Sequence, residues 1–241
     1  MKAVFITGTG TDIGKTYVSA YILKSLTAKG LKAAYYKPAL SGAQSLEHSD
    51  AGFVINAAGL RQELKSAVGY WFKEPLSPHL AAQHENVTPS LEHIRDGFER
   101  LALDFDYVLV EGAGGIYTPL YCPSCPTKTV EDARAHKRSI VLYSAVAQEL
   151  KLPVLVVADA GLGTINHTVL TTDRLKALEL DCKGVILNNF KLGNLMHEDN
   201  LGMIEALAQV PVVATLEHAA LEHFQLGLPG QVNFEEYFAA L

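Results

Sequence analysis

The chain has 241 residues, 49% of them hydrophobic, and a formal net charge of −6. That hydrophobic share excludes disorder by composition and supports a sizeable core, while the acidic balance weighs against a nucleic-acid binder, which needs a basic surface. No run approaches the roughly 20 apolar residues that span a bilayer, and three cysteines are too few for a disulfide scaffold.

The N-terminal "MKAVFITG" enters a strand-like run at once, with no separable signal sequence, so a cytoplasmic enzyme is expected. Apolar runs of strand length then recur at 3–7, 32–36, 68–72, 107–111, 153–159, 183–189 and 211–216. They are nearly continuous in apolar character rather than alternating, which suits strands covered on both faces. Helical spacing falls between them at 15–29, 90–103, 139–151, 165–179 and 199–208. This order predicts an α/β fold: a doubly wound, mainly parallel sheet of about seven strands, with right-handed crossovers and helices on both faces. With no repeat and no low-complexity linker, residues 1–241 read as one domain.

Ligands of such sheets gather beyond the carboxyl ends of the strands. Five of the runs end in polar or glycine-rich stretches: "GTGTDIGKT", "KPALSG", "EGAGG", "AGLGTIN" and "NN". The first of these is a phosphate loop with a variant spelling. Gly14-Lys15-Thr16 closes it as usual, but Gly8 lies one residue too early and Thr9 takes the expected glycine position. Glycines bring backbone N–H groups onto phosphate oxygens, and a helix opening at Gly14 adds the positive end of its dipole. Lys15 can reach the outer phosphates, and the Thr16 hydroxyl can bind Mg2+. Asp12, an acid within an anion-binding loop, either faces a sugar or a cationic substrate or merely shapes the turn.

A magnesium–phosphate site needs hard oxygen ligands near Thr16. Glu111 is one candidate, because a charge ending an apolar strand is costly to bury without compensation. Asp50 is the other; its rival role is to cap a helix beginning near Ala51, although Ser49 could cap as easily. Lys37 closes the second strand, beside the first if the sheet is wound in the common way. With Lys15 it would set two cations around a transferring phosphoryl group. Pro38 reads as a sharp exit, and Ser41-Gly42 offers a hydroxyl and free amides to a second ligand.

Taken together, "TGTGTDIGKT", "YYKPALSG", "HSDA", "LSPHLAA", "VEGAGGIYTPL" and "GTINHTVLT" occur in the order found in ATP-dependent dethiobiotin synthetases, and the chain resembles that family over roughly residues 3–120 and 152–190. The resemblance implies a P-loop NTPase-like homodimer with its active site at the subunit interface. It also implies ATP and Mg2+, with 7,8-diaminononanoate and CO2 as small-molecule substrates and no nucleic acid or membrane partner. Carried over, Lys15 and Lys37 stabilise the carbamate and γ-phosphate charge, and Thr16, Asp50 and Glu111 gather around Mg2+. Asp12, Ile13, Gly14 and Tyr17 lie by the nucleotide, and Gly112, Ala113 and Gly114 line the nucleotide or substrate side. Ser41 contacts the carbamate. Leu162, Gly163, Thr164, Ile165 and Asn166 hold the substrate's tail carboxylate from the other subunit. Asn188 reads the adenine edge, helped by Asn189.

The chain departs from the family in two places. Ala214 and Glu217 replace a glycine and an Ile/Leu-Pro after the last strand, which puts in doubt the backbone contacts of Glu217, His218 and Ala219 with adenine. The connection from Pro119 to Pro153 is longer than usual and carries Cys122 and Cys125. With no second CxxC, and only His136 or Cys182 to add, this pair reads as part of a proline-stiffened loop rather than a zinc or redox site. His79 either shapes the substrate site or caps a helix at 79–84. The alternatives to a carbamate-forming cyclo-ligase are a related ligase acting on another amine or acid, and a dimeric P-loop ATPase switch. Such switches carry an additional lysine early in the loop, where this chain has Thr9 and Gly10.

Overall fold

A computed structural model describes residues 1–122, 140–224 and 233–240. Nine strands occur among them: β1 (Lys2–Gly8), β2 (Ala33–Ser41), β3 (Val68–Phe72), β4 (Tyr107–Gly115), β5 (Pro119–Tyr121), β6 (Val141–Leu142), β7 (Val154–Asp159), β8 (Cys182–Asn188) and β9 (Val212–Leu216). Seven form one parallel sheet in the order β3-β2-β4-β1-β7-β8-β9, and β5 pairs antiparallel with β6. The helices are α1 (Lys15–Thr27), α2 (Asp50–Ala58), α3 (Pro78–His84), α4 (Leu91–Asp104), α5 (Tyr143–Leu150), α6 (Thr164–Ala177), α7 (Leu195–Ala208) and α8 (Phe234–Ala239).

The continuous apolar character of the strands follows from helices on both faces. Successive strand residues point to opposite sides, so Phe5 packs with Ile94 and Phe98 of α4, whereas Val4 and Ile6 pack with Val18 and Ile22 of α1 and Val54 of α2. Each fully buried side chain of this kind stabilises the fold by roughly 1.5–3 kcal/mol. A strand loaded on both sides has no face that tolerates water.

The sheet order corrects one expectation. Lys37 is not beside the first strand, because β4 lies between β1 and β2. Nor does Pro38 end β2, which runs on to Ser41. The strand changes partner instead: its register with β4 ends at Tyr36 opposite Val110, and its register with β3 begins at Lys37 opposite Val68. Pro38, which has no N–H to donate, therefore sits beyond the β4 ladder, where none is required. The fork between β2 and β4 opens just past Tyr36, at the carboxyl end of the sheet.

Helix α2 settles the capping question in favour of Ser49, whose Oγ accepts a hydrogen bond from Gly52 N at 3.3 Å. Asp50 is thereby left as the first helical residue, with its carboxylate free for another partner. Helix α7 starts at Leu195, earlier than the periodicity indicated, because the Asn194 side chain accepts from Met196 N and His197 N. The short β5–β6 pair and α8 were not anticipated; neither is long enough to show a hydrophobic period.

Helix α4 buries Ile94, Phe98 and Leu101, and it is capped by Ser90 Oγ, which accepts from His93 N at 3.2 Å. Ser90→Ala should lower stability by about 1 kcal/mol, read as a lower urea midpoint with an unchanged slope.

Candidate active site

Gly14 precedes α1 in a left-handed conformation, with φ +92°. A Cβ at this position would stand 2.1 Å from Asn188 Nδ2, so only glycine fits. The Asn188 amide donates to Ile13 O at 3.1 Å, clamping the loop to the end of β8. Asp12 is exposed, with φ +58°, a conformation that Asp tolerates better than most residues. It lines the main cavity, so turn-forming and ligand-facing roles are compatible.

Lys15 is buried and donates to Gly10 O at 2.7 Å. Burial, opposed by the nearby Glu111 carboxylate, lowers its pKa to about 8. Lys37 shifts the other way. Burial would lower its pKa too, but Glu111 and Asp50 outweigh that and raise it. The Lys37 ammonium donates to Glu111 Oε1 and to Asp50 Oδ2, each at 2.6 Å. Burial pushes the Asp50 carboxyl up, and the Lys37 charge brings it below its ordinary value.

Alternation explains why these groups meet. Tyr36 and Val110, the last pair of the β2–β4 ladder, belong to the α4 face. Lys37 and Glu111 follow them and therefore point to the α1 face. There Thr16, on the first turn of α1, donates from Oγ1 to Glu111 Oε1 at 2.8 Å. Glu111 is fully buried, and its Oε2 makes no hydrogen bond among the described residues.

A divalent cation fits this donor set. The Thr16 hydroxyl, the Asp50 carboxylate and the unpartnered Glu111 Oε2 are hard oxygens of the kind Mg2+ takes. Among the described residues no three His, Cys, Asp or Glu side chains converge. The protein thus supplies a partial shell, as expected where phosphate and water oxygens complete the coordination of Mg2+.

These groups line one cavity of about 1140 Å3. It runs from Thr11 and Lys15 past Lys37 and Ser41 to an apolar wall that includes Phe53 and Leu76. Ser41 Oγ donates to Leu76 O at 2.7 Å, and Tyr143 OH donates to Ala39 O at 2.9 Å, holding β2 two residues beyond Lys37. Ala113 and Gly114 line the cavity. Gly112 does not; it is buried, and a Cβ there would meet the Phe5 ring at 3.1 Å.

Other expected site residues lie apart from the cavity within a single chain. Leu162 is 92% exposed, Gly163 precedes α6 with φ +90°, Thr164 is buried against Thr168, and Asn166 is exposed, with Ile165 half-buried between them. Asn189 turns away from Asn188: its amide donates to Asp159 Oδ1 at 2.7 Å, and its Oδ1 lies 3.4 Å from His218 Nδ1. Ala219 has φ +61°, and Glu217 is exposed. His79 is half-buried, 3.0 Å from Ser77 Oγ through Nδ1, and does not line the cavity. Cys122 is disulfide-bonded, unlike the bare loop expected, and Cys182 is a free thiol. Cys125 and His136 lie outside the described residues.

One contact carried no sequence signal. Tyr17 OH donates to Glu222 Oε2 and accepts from Leu221 N, each at 2.5 Å, joining α1 to a segment 205 positions later. Burial, with the Glu222 carboxylate, raises the Tyr17 pKa to about 12. The apolar wall of Phe53 and Leu76 was missed as well, since isolated apolar residues beside turns look like ordinary core.

A family model described as an AAA domain matches residues 2–122 and 131–221. Among solved structures, the cell division protein MinD of Aquifex aeolicus is 12% identical, with a TM-score of 0.53 over 92% of this chain and 85% of that one. The signal recognition particle receptor FtsY of Elizabethkingia anophelis in complex with GDP is 15% identical, with a TM-score of 0.52 over 98% and 63%. At such identities the likeness concerns the fold, and that fold with its phosphate loop defines a P-loop NTPase. The ATP-dependent dethiobiotin synthetase BioD of Brachyspira hyodysenteriae is 42% identical over 88% of this chain and 90% of its own length. The enzyme of the same name from Clostridium botulinum strain ATCC 19397 is 40% identical over 90% and 92%. The chain belongs to the ATP-dependent dethiobiotin synthetase family.

The fit around Gly14 is directly testable. Gly14→Ala places a methyl group against the Asn188 amide and strains a positive φ. It should weaken binding of a fluorescent ATP analogue at least tenfold, with little change in circular dichroism. Unaltered affinity would contradict the clamp.

Proposed function

We propose that this chain is an ATP- and Mg2+-dependent cyclo-ligase of biotin biosynthesis, forming dethiobiotin from 7,8-diaminononanoate and CO2 with release of ADP and phosphate. The observation that carries this reading is the meeting of Lys15, Thr16, Lys37, Asp50 and Glu111 around one cavity that continues to an apolar wall. The polar end suits a nucleotide's phosphates, and the apolar end suits an aliphatic chain.

In the reaction, one amine of the substrate adds to CO2 and loses a proton, giving a carbamate. A carbamate oxygen attacks the γ-phosphorus, and ADP leaves. The second amine then attacks the carbamoyl carbon and loses a proton; the C–O bond to phosphate breaks, and phosphate departs as the ring closes. Phosphorylation converts a poor leaving oxygen into a good one, and binding makes ring closure intramolecular. Lys15 and Lys37 stabilise the negative charge on the carbamate and the transferring group. Lys37 is held between two carboxylates, and their charges raise its pKa against the effect of burial. Thr16, Asp50 and Glu111 would hold Mg2+, which neutralises phosphate charge when bound.

Ser41 contacts the carbamate, while Ala113 and Gly114 bring free backbone to the substrate side. Asn188 is aimed at adenine through Oδ1, which is buried without a hydrogen-bond partner among the described residues. Asn189, Glu217, His218 and Ala219 lie beyond it. The enzyme is a cytoplasmic homodimer whose partner subunit presents residues 162–166 to the substrate tail. The exposure of Leu162 and the start of α6 at Gly163, which no side chain caps, support that arrangement. No helix among the described residues is long and apolar enough to cross a membrane.

Incubation with MgATP, bicarbonate and the diamine should yield a product with the mass of dethiobiotin and one phosphate per turnover. Phosphate release that ignores both bicarbonate and the diamine would defeat the reading. Lys37→Ala should lower kcat on the order of a hundredfold or more while nucleotide affinity is retained. Glu111→Gln should move the Mg2+ titration midpoint of activity upward by about tenfold or more; a superimposable titration would remove Glu111 from the metal shell.

A further inference from the structure

A second cavity, of about 620 Å3, lies at the opposite end of the strands β2, β3 and β4. Lys32 precedes β2, Val68 opens β3 and Phe105 precedes β4, so the cavity sits at the amino-terminal ends of these strands, away from the phosphate loop. Four cations line it: Lys32, Arg61, Lys65 and Arg100. Two carboxylates, Glu63 and Asp104, share the lining and leave it net positive in a chain whose total charge is −6. None of the four cations is ion-paired among the described residues.

The floor of the cavity is built rather than incidental. Tyr36 OH is buried there and donates to Ile94 O at 3.0 Å. A Cβ at Gly97 would lie 2.4 Å from that hydroxyl, and one at Gly69 would lie 2.7 Å from it. Glycine at both positions lets α4 and β3 close on the phenol and leaves backbone at the base. Beside them, His93 Nε2 lies 3.1 Å from Gly69 O.

We propose that this cavity is a second ligand site that takes a small organic phosphate. Unpaired cations gathered in a concavity raise the local potential for anions. Two guanidinium groups supply forked donors that match phosphate oxygens, and two ammonium groups add charge. The volume falls within the range of about 300–1,000 Å3 typical of small-molecule sites. Leu101 and Phe105 supply an apolar side for the organic part. The carboxylates Glu63 and Asp104 disfavour a long polyanion and leave room for a compact one.

The test uses inorganic pyrophosphate as the probe, titrated into the 15N-labelled full-length protein and followed by amide chemical shifts. In the wild-type protein Gly69 and Gly97 should shift saturably, independently of the response at Gly14. In the double variant Arg61→Gln/Arg100→Gln, affinity read at Gly69 and Gly97 should fall at least tenfold, while the Gly14 response stays unchanged. Both arginines are exposed, and the Gly14 signal reports that the fold is intact. No saturable shift at Gly69 and Gly97 in the wild type, or the same affinity there in the double variant, would overturn the proposal. Because Gly14 reads the phosphate loop separately, failure at the distal cavity leaves the proposed ligase reading untouched.

Discussion

The buried pair of Lys37 and Glu111 is the constraint on which the site depends. A carboxylate with no exposure within a buried strand requires a cation, because desolvating an unpaired charge costs several kcal/mol. Lys37 meets that need from the neighbouring strand, one residue past the last rung of the β2–β4 ladder. The pair is therefore fixed by strand register, and a slip of one residue in either strand would turn its charge to the opposite face, away from its partner. Replacing such a pair with apolar residues is often neutral or stabilising, so its presence points to chemistry rather than to stability.

The rest of the polar cluster follows from that placement. Thr16 reaches Glu111 because α1 packs on the same face, and Asp50 reaches Lys37 because Ser49 caps α2 and frees the next carboxylate. Where β2 leaves β4 to follow β3, the sheet opens and the cavity begins. The two lysines thus differ in setting despite sharing a cavity. Lys15 donates to a carbonyl, and burial lowers its pKa, whereas Lys37 donates to two carboxylates and has a raised one.

Charge is distributed unevenly around the sheet. At the carboxyl ends, cations and carboxylates are interlocked by direct hydrogen bonds. At the amino ends of β2, β3 and β4, four cations face a second cavity and form no ion pair among the described residues. The Tyr17 contact with Glu222 and Leu221 adds a tie between the phosphate-loop helix and the segment after β9, so the loop is held from β8 on one side and from that segment on the other.

The strand runs, the major helices and the residues of the phosphate loop were legible in the sequence, because periodicity and glycine placement are local consequences of backbone geometry. Lys15, Thr16, Lys37, Asp50 and Glu111 were likewise legible as residue types, although Lys37 and Glu111, read as strand ends, lie within β2 and β4, which run on to Ser41 and Gly115. The sequence could not show that β4 lies between β1 and β2, that Pro38 stays within its strand, or that Asn188 and Asn189 face different ways. Nor did it signal the Tyr17 tie or the cluster of Lys32, Arg61, Lys65 and Arg100. Each of these depends on which distant segments become neighbours, and that is decided by burial and hydrogen bonding in three dimensions, where chain separation no longer measures distance.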